Sequence, residues 1–548
     1  MKLILCVNPH ITDPPTPFRL RSPLLLLLLL LLLRNGFADR SAASCLLTVS
    51  AMAKRTGDEM ETDDAPLKNG ERAVPSDPKD QEMGDFEDDF EDEYESEDSD
   101  ILEAGVDGRP DDEREAEEKK IAANNRKQTF LPGRHKLAAG ESLAPDPSTY
   151  DMLHTLTSSW PCLSFDILRD HLGDKRKNYP ATVYAVAGTQ ADSNRSKENE
   201  LMVMKMSSLS RMDRLRDQDS GSDEDSSSDA EDADPILETR SIPQTSVTNR
   251  IRAFQSPSSS LTLTASTMES GELLIHDIGT QLRAFDTPGT VIRPEQRKPV
   301  ATLTHHGRTE GFALDWSPHF PTGKLLSGDN DGRIFISTRN EDGTWTTDRT
   351  PFLGHQGSIE DLHWSPNERS VFASASSDGT VKVWDTRSKA HKPAVSVQVS
   401  STDVNVISWS KHVTHLLASG HDDGSWSVWD LRQWKPEVKD GPDLASTPKP
   451  VASFDFHKEQ ITSLEWHPAE DSIMCVAAGD NTVTLWDLAV ELDDEESRET
   501  AGVPDVPPQL LFVHYMEMVK EARWHPQIPG TVMATGGSGF GVFKTISI

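Results

Sequence analysis

Residues 354–385 read GHQGSIEDLHWSPNERSVFASASSDGTVKVWD. Trp364 is followed by a Ser-Pro turn and then by a run of small and β-branched residues. Asp378-Gly379 comes next, a dipeptide suited to a two-residue hairpin, and a second β-branched run closes on Trp384-Asp385. Short alternating runs separated by turn signals at this spacing are antiparallel strands. The unit recurs. Trp316, Trp364, Trp409, Trp466 and Trp524 lie 48, 45, 57 and 58 residues apart and mostly precede Ser-Pro, Ser or His-Pro. A small-residue strand, a tight turn and a further strand follow each of them, at 325–336, 371–385, 416–430, 474–487 and 532–545. Three of these close on Trp-Asp, at Trp384-Asp385, Trp429-Asp430 and Trp486-Asp487. One such unit cannot bury its apolar face alone, so its neighbours must stack on it.

These motifs resemble the WD-repeat family, whose unit is a four-stranded propeller blade. The resemblance implies a buried hydrogen-bonded tetrad of His355, Ser374, Asp378 and Trp384. The other units depart from it. One has Ser419, Asp423 and Trp429 without a Gly-His start; another has His457, Asp480 and Trp486 with Val476 in the Ser place; the first has Ser327 and Asp331 without a Trp; and the last has Phe543 near the Trp place. Apolar runs at 181–187, 201–206, 236–242, 261–265 and 273–278 supply about two more blades. The expected fold is an all-β, seven-bladed WD-repeat β-propeller over 145–548, closed by an N-terminal strand, with an N-terminal helix and a disordered acidic tail.

Charge limits the function. The 548 residues hold 90 acidic and 55 basic side chains, a net charge of −35, which repels nucleic acid unless a local basic face is hidden in the sum. Hydrophobic residues reach only 35%, against roughly 45–50% in ordinary domains, so part of the chain stays out of any core. Four cysteines with no CxxC pair form neither a disulfide framework nor a metal site. At the start, Arg19 and Arg21 precede ten leucines at 24–33. We read residues 1–51 as an upstream extension ahead of Met52, with a secretory signal, and hence a secreted propeller, as the alternative. No other apolar run reaches the ~18 residues of a membrane span.

Residues 52–140 read as a disordered tail. From 81 to 100 twelve of twenty positions are acidic and none is basic, Glu87, Asp88, Asp89, Glu91, Asp92 and Glu93 at the centre, with Phe86, Phe90 and Tyr94 as apolar anchors. A basic stretch from Lys119 to Lys136 is a nuclear-import signal or solvated linker. A second acidic block, an insert at 213–235, includes Asp223, Glu224, Asp225, Glu231 and Asp232, and its Ser222, Ser226 and Ser228 each have an acid three residues on, as candidate phosphorylation sites. Two polyacidic arms suit the shielding of very basic clients.

No phosphate loop, nucleophile elbow or zinc-protease motif is present, so the expectation is a non-enzyme without a cofactor. The segment Tyr150, Leu153, His154, then Trp160, Pro161, Leu163 and Phe165, reads as a helix over 149–158 leading into a closing strand. It resembles the start of the histone-binding WD-repeat family, in which such a helix helps form a histone groove. With its acidic tract and loop, the chain resembles the glutamate-rich WD-repeat family from Met52 to the end. That resemblance implies core histones, a newly made large-subunit ribosomal protein and pre-ribosomal particles as partners, in nucleus and nucleolus, with the protein a monomer. Trp384-Asp385-Thr386-Arg387 and Trp429-Asp430-Leu431-Arg432 look like the box by which WD-repeat receptors dock on a cullin-RING ligase adaptor through Arg387 and Arg432. That makes a ligase substrate receptor the alternative function.

Overall fold

Trp316, Trp364, Trp409, Trp466 and Trp524 each end the first strand of an antiparallel sheet, and seven such sheets close into a β-propeller. The computed structural model describes residues 7–11, 141–212, 234–257, 259–435, 448–490 and 506–548. Blade 1 runs Cys162–Leu168, Ala181–Thr189, Glu200–Leu209, Ile236–Pro243, and blade 2 Thr248–Gln255, Thr262–Met268, Leu273–Asp277, Ala301–Leu303. Blade 3 is Leu314–Trp316, Lys324–Gly328, Arg333–Arg339 and Trp345–Thr347, with Phe352–Leu353 also on its third strand. Blade 4 is Ile359–Trp364, Val371–Ser376, Thr380–Asp385 and Val395–Gln398. Blade 5 is Val404–Trp409, Leu416–His421, Trp426–Asp430 and Ala452–Phe454; blade 6 is Ile461–Trp466, Ile473–Ala478, Thr482–Asp487 and Leu510–Tyr515. Blade 7 takes Glu521–Trp524, Thr531–Gly536 and Gly539–Thr545 from the C-terminus, and its outer strand, Tyr150–Thr157, from the N-terminal side. That pairing removes the open edge a sheet would otherwise expose.

The expected helix over 149–158 is therefore corrected. Asp146 accepts from the Ser148 N–H and caps a single 3-10 turn, Pro147–Thr149, which passes directly into the extended Tyr150–Thr157. The apolar residues that fit a helical face also alternate: Tyr150, Met152 and Leu156 are buried at even positions, facing the core with period two. The strand after Pro161 is likewise not the closing strand but the first of blade 1. The acidic tail over 52–140, the core of the insert at 213–233 and, apart from Val7–Ile11, the leader over 1–51 lie outside the described residues. Val7–Ile11 pairs antiparallel with Glu141–Pro145.

The first strands ring a central cavity of about 440 Å³. They do not pair with one another, so their inward N–H groups need other acceptors. In five joints a carboxylate supplies one. Asp166 accepts from the Ala253 N–H at 2.8 Å, Asp315 from Trp364 at 2.7 Å, Asp361 from Ile407 at 3.1 Å, Glu465 from Trp524 at 2.8 Å and Glu521 from Phe165 at 3.0 Å. Each bond ties one blade to the next, and Glu521 ties the last to the first. Among the described residues no helix is long and apolar enough to cross a membrane.

Candidate functional site

In blade 4, Trp384 Nε1–H donates to Ser374 Oγ at 2.8 Å, His355 Nε2 lies 2.6 Å from that hydroxyl, and His355 Nδ1 lies 2.9 Å from Asp378. Indole can only donate and carboxylate only accept, which sets the polarity of the chain. The His355 Nδ1–H donates to Asp378, and the Ser374 hydroxyl donates to Nε2. Burial works against the charged Asp378, but hydrogen bonds from His355 and Thr380 and the Gln356 N–H outweigh it and hold the carboxyl well below its usual range. Burial holds the His355 ring below its ordinary value. The arrangement is buried and fully paired, so it holds the blade rather than offering chemistry.

The divergent blades rebuild the same relay from other positions. In blade 6 the hydroxyl missing at Val476 comes from Thr484, directly opposite across the strand pair. Trp486 Nε1–H donates to it at 2.7 Å, and His457 Nε2 lies 2.9 Å away. In blade 5, which has no Gly-His start, the imidazole comes from His421. Its Nε2 is 2.9 Å from Ser419, and its Nδ1 reaches Asp423 through the Ser425 hydroxyl. In blade 3, His306 pairs with Ser327 and with Asp329 rather than Asp331, each at 2.8 Å, while Asp331 accepts from Thr309. Ser337 stands in the Trp place and bonds Thr347.

The segment singled out near the N-terminus divides between two places. Tyr150 and Phe165 are core residues, Tyr150 with its hydroxyl 2.9 Å from His514 Nδ1 and Phe165 edge-on to Phe540. Leu153 is half-buried in a cleft of about 200 Å³ that Tyr150, His514, Tyr515 and Met516 also line, and His154 Nε2–H donates to the Ser210 carbonyl at 2.9 Å. Trp160, Pro161 and Leu163 lie at the other end of the closing strand, in and just beyond its turn into blade 1. The half-exposed Trp160 ring has the Arg195 guanidinium 4.9 Å from its centroid and donates to Glu198. Leu163 sits in a bulge between Cys162 and Ser164, a distortion that re-aims a side chain.

Topology then sorts the charge. In an antiparallel blade the second-to-third connection, and the passage to the next blade, emerge on one face; the first-to-second and third-to-fourth connections emerge on the other. The described connections of the first face carry fifteen acidic and five basic residues, among them Glu269, Glu272, Asp403, Asp422 and Asp455. Those of the second carry ten acidic and seventeen basic residues, Arg387 and Arg432 included. The two arginines fold back on Asp385 and Asp430, each pair with contacts of 2.7 to 3.1 Å, yet remain 72% and 68% exposed. The sequence reading missed the acidic face because its residues are scattered one or two per turn. The tract acids from Glu87 to Glu93 and the insert residues from Ser222 to Asp232 lie outside the described residues.

Comparison with known proteins matches this geometry. Residues 140–210 match the family described by the histone-binding protein RBBP4 and its counterpart in the CAF1 complex, and residues 346–385 and 448–487 match the WD domain, G-beta repeat. The chain is 46% identical over 503 residues to ribosome assembly protein rrb1 of Schizosaccharomyces pombe, covering 90% of this chain and 100% of that one. It is 42% identical to protein HEAT STRESS TOLERANT DWD 1 of Arabidopsis thaliana (77% of this chain, 92% of that one). It is 38% identical to glutamate-rich WD repeat-containing protein 1 of Dictyostelium discoideum (76% and 85%). A seven-bladed ring with an N-terminal closing strand and this extent of identity place the chain in the family of WD-repeat proteins that includes ribosome assembly protein rrb1 and glutamate-rich WD repeat-containing protein 1.

Proposed function

We propose that the protein is a non-enzymatic chaperone and scaffold that holds very basic clients, core histones and a newly made large-subunit ribosomal protein, during chromatin and ribosome assembly in the nucleus and nucleolus. The observation that carries this is the acidic face, where fifteen acids against five bases converge around the mouth of the ring. A fixed surface of one sign steers and retains clients of the other. The polyacidic tracts at 81–100 and 217–234 extend that field, and the match of 140–210 to a histone-binding family supports a histone among the clients. Titration of core histones and of the ribosomal protein at several salt concentrations tests it, with the full chain and with each tract deleted. Deletion should weaken binding and flatten its salt dependence. Unchanged affinity and slope in both deletions would sink the charge-shielding role of the tracts.

A second reading, docking on a ligase adaptor, is favoured by the exposure of Arg387 and Arg432 on one face of adjacent blades. Changing both to Ala should abolish adaptor pull-down while sparing histone binding; retained pull-down removes it.

A further inference from the structure

We propose that the ends of blades 4 and 5 on the basic face bind the phosphodiester backbone of a nucleic acid without reading its sequence. The described connections of these two blades carry eight basic residues against Glu368 alone. A hydrogen bond of 3.2 Å from Asn367 to Thr414 joins their first turns into one surface. Two of the cations, Arg387 and Arg432, are neutralised locally by Asp385 and Asp430. Arg369, Lys389, Lys392, Lys411 and Lys435 are exposed and make no ion pair with any described residue. Fixed cations without counter-ions are what a chain of phosphates satisfies, and each contact releases condensed counterions from the nucleic acid.

Two further features select this ligand. A protein partner would need apolar anchors, and the one large exposed hydrophobic in these described connections is Val451. Base stacking would need an open aromatic face, but the nearby rings are engaged. Lys324 Nζ and the Arg369 guanidinium stand 4.6 and 4.3 Å from the Phe320 centroid, His391 stacks on Phe352 at 4.2 Å, and Trp434 is buried. That leaves the backbone, which carries no sequence information directly. The net charge of −35 does not forbid this, since at physiological ionic strength a field is screened beyond about 8 Å.

The test is fluorescence anisotropy of the full chain with a labelled single-stranded RNA of about 20 nucleotides, the same sequence as DNA, and a polyglutamate peptide of equal length, from 50 to 200 mM salt. Two variants, R369A/K389A/K392A and K411A/K435A, remove the patch in parts, and K458A/K520A on the acidic face is the control. RNA should bind, DNA of the same sequence should bind within a few-fold if the backbone alone is read, and the triple variant should lose at least tenfold. Its log–log salt slope should fall by about 2, the value for three contacts at roughly 0.7 each. No binding at 50 mM salt, binding unchanged in both patch variants, equal loss in the control, or tighter binding of polyglutamate than of RNA would overturn the proposal.

Discussion

The hydroxyl of Tyr150 stands 2.9 Å from Nδ1 of His514, 364 residues further along the chain. Tyr150 opens the strand that closes blade 7, and His514 lies on the outer strand of blade 6, so one buried bond fastens the closure to the neighbouring blade. The His514 ring is held neutral, burial pushing it down to about 4, and the Tyr150 hydroxyl donates to it. The Tyr150 ring packs edge-on against Phe512 and Phe543, which adds apolar contact from both blades.

Tyr150→Phe keeps that packing and leaves His514 Nδ1 without this donor. An unsatisfied buried acceptor costs about 1–3 kcal/mol. Urea unfolding should show the midpoint lowered with an unchanged slope; an unchanged midpoint would mean that the bond does not hold the closure.

Acid should loosen the ring before it neutralises the carboxylates. Burial lowers His514, His421 and His467 to about 4 and His525 to about 3. The unfolded chain therefore takes up these protons at higher pH than the folded one does. Their contribution is complete above pH ~6.5 and is lost as the pH falls toward 4, with up to about 3 kcal/mol for a ring such as His514. Thermal unfolding between pH 7 and 4.5 should show a steady fall in Tm, and a flat profile over that range would contradict the neutral assignment.

Glu521 is buried with Arg252 at 2.8 Å, Arg523 at 3.2 Å and Arg250 at 3.7 Å, and it also accepts from the Phe165 N–H and the Ser164 hydroxyl. Burial opposes its charge, but the three arginines outweigh burial and keep it ionised well below the usual range. Glu521→Gln leaves buried cations uncompensated at the joint between the last blade and the first, a loss of about 3–5 kcal/mol. Calorimetry checks this, and wild-type stability in the variant would mean that the arginines find other partners.

Thr484→Val removes the hydroxyl that serves both Trp486 and His457 and should cost about 1–3 kcal/mol. Thr484→Ser, which keeps the hydroxyl, should retain most of the stability. Equal losses in the two variants would assign the cost to packing rather than to the relay.

Much of the ring was readable because Trp316, Trp364, Trp409, Trp466 and Trp524 mark five first strands; neither 162–168 nor 248–255 contains a tryptophan, so blades 1 and 2 had to be inferred from apolar runs. The closing strand was misread as a helix because Met152, Leu153 and Leu156 satisfy both periods, and only its pairing with Gly539–Thr545 decides between them. The relay hydroxyl of Thr484 was invisible because Thr484 lies on the third strand of blade 6 and stands opposite Val476 only once the register of that pair is known. The two charged faces are a property of topology. Asp403 and Lys411 are eight residues apart, yet the strand Val404–Trp409 between them carries them to opposite ends of blade 5.

The central claim is that a basic client is held by the acidic face. The direct measurement is a salt titration of core histone binding to the full chain and to E269Q/E272Q/D403N/D422N, with R369A/K389A/K392A from the opposite face as the comparison. The account predicts at least tenfold weaker binding and a shallower salt dependence in the first variant and no loss in the second. Binding that survives the first and is changed only by the second would contradict it.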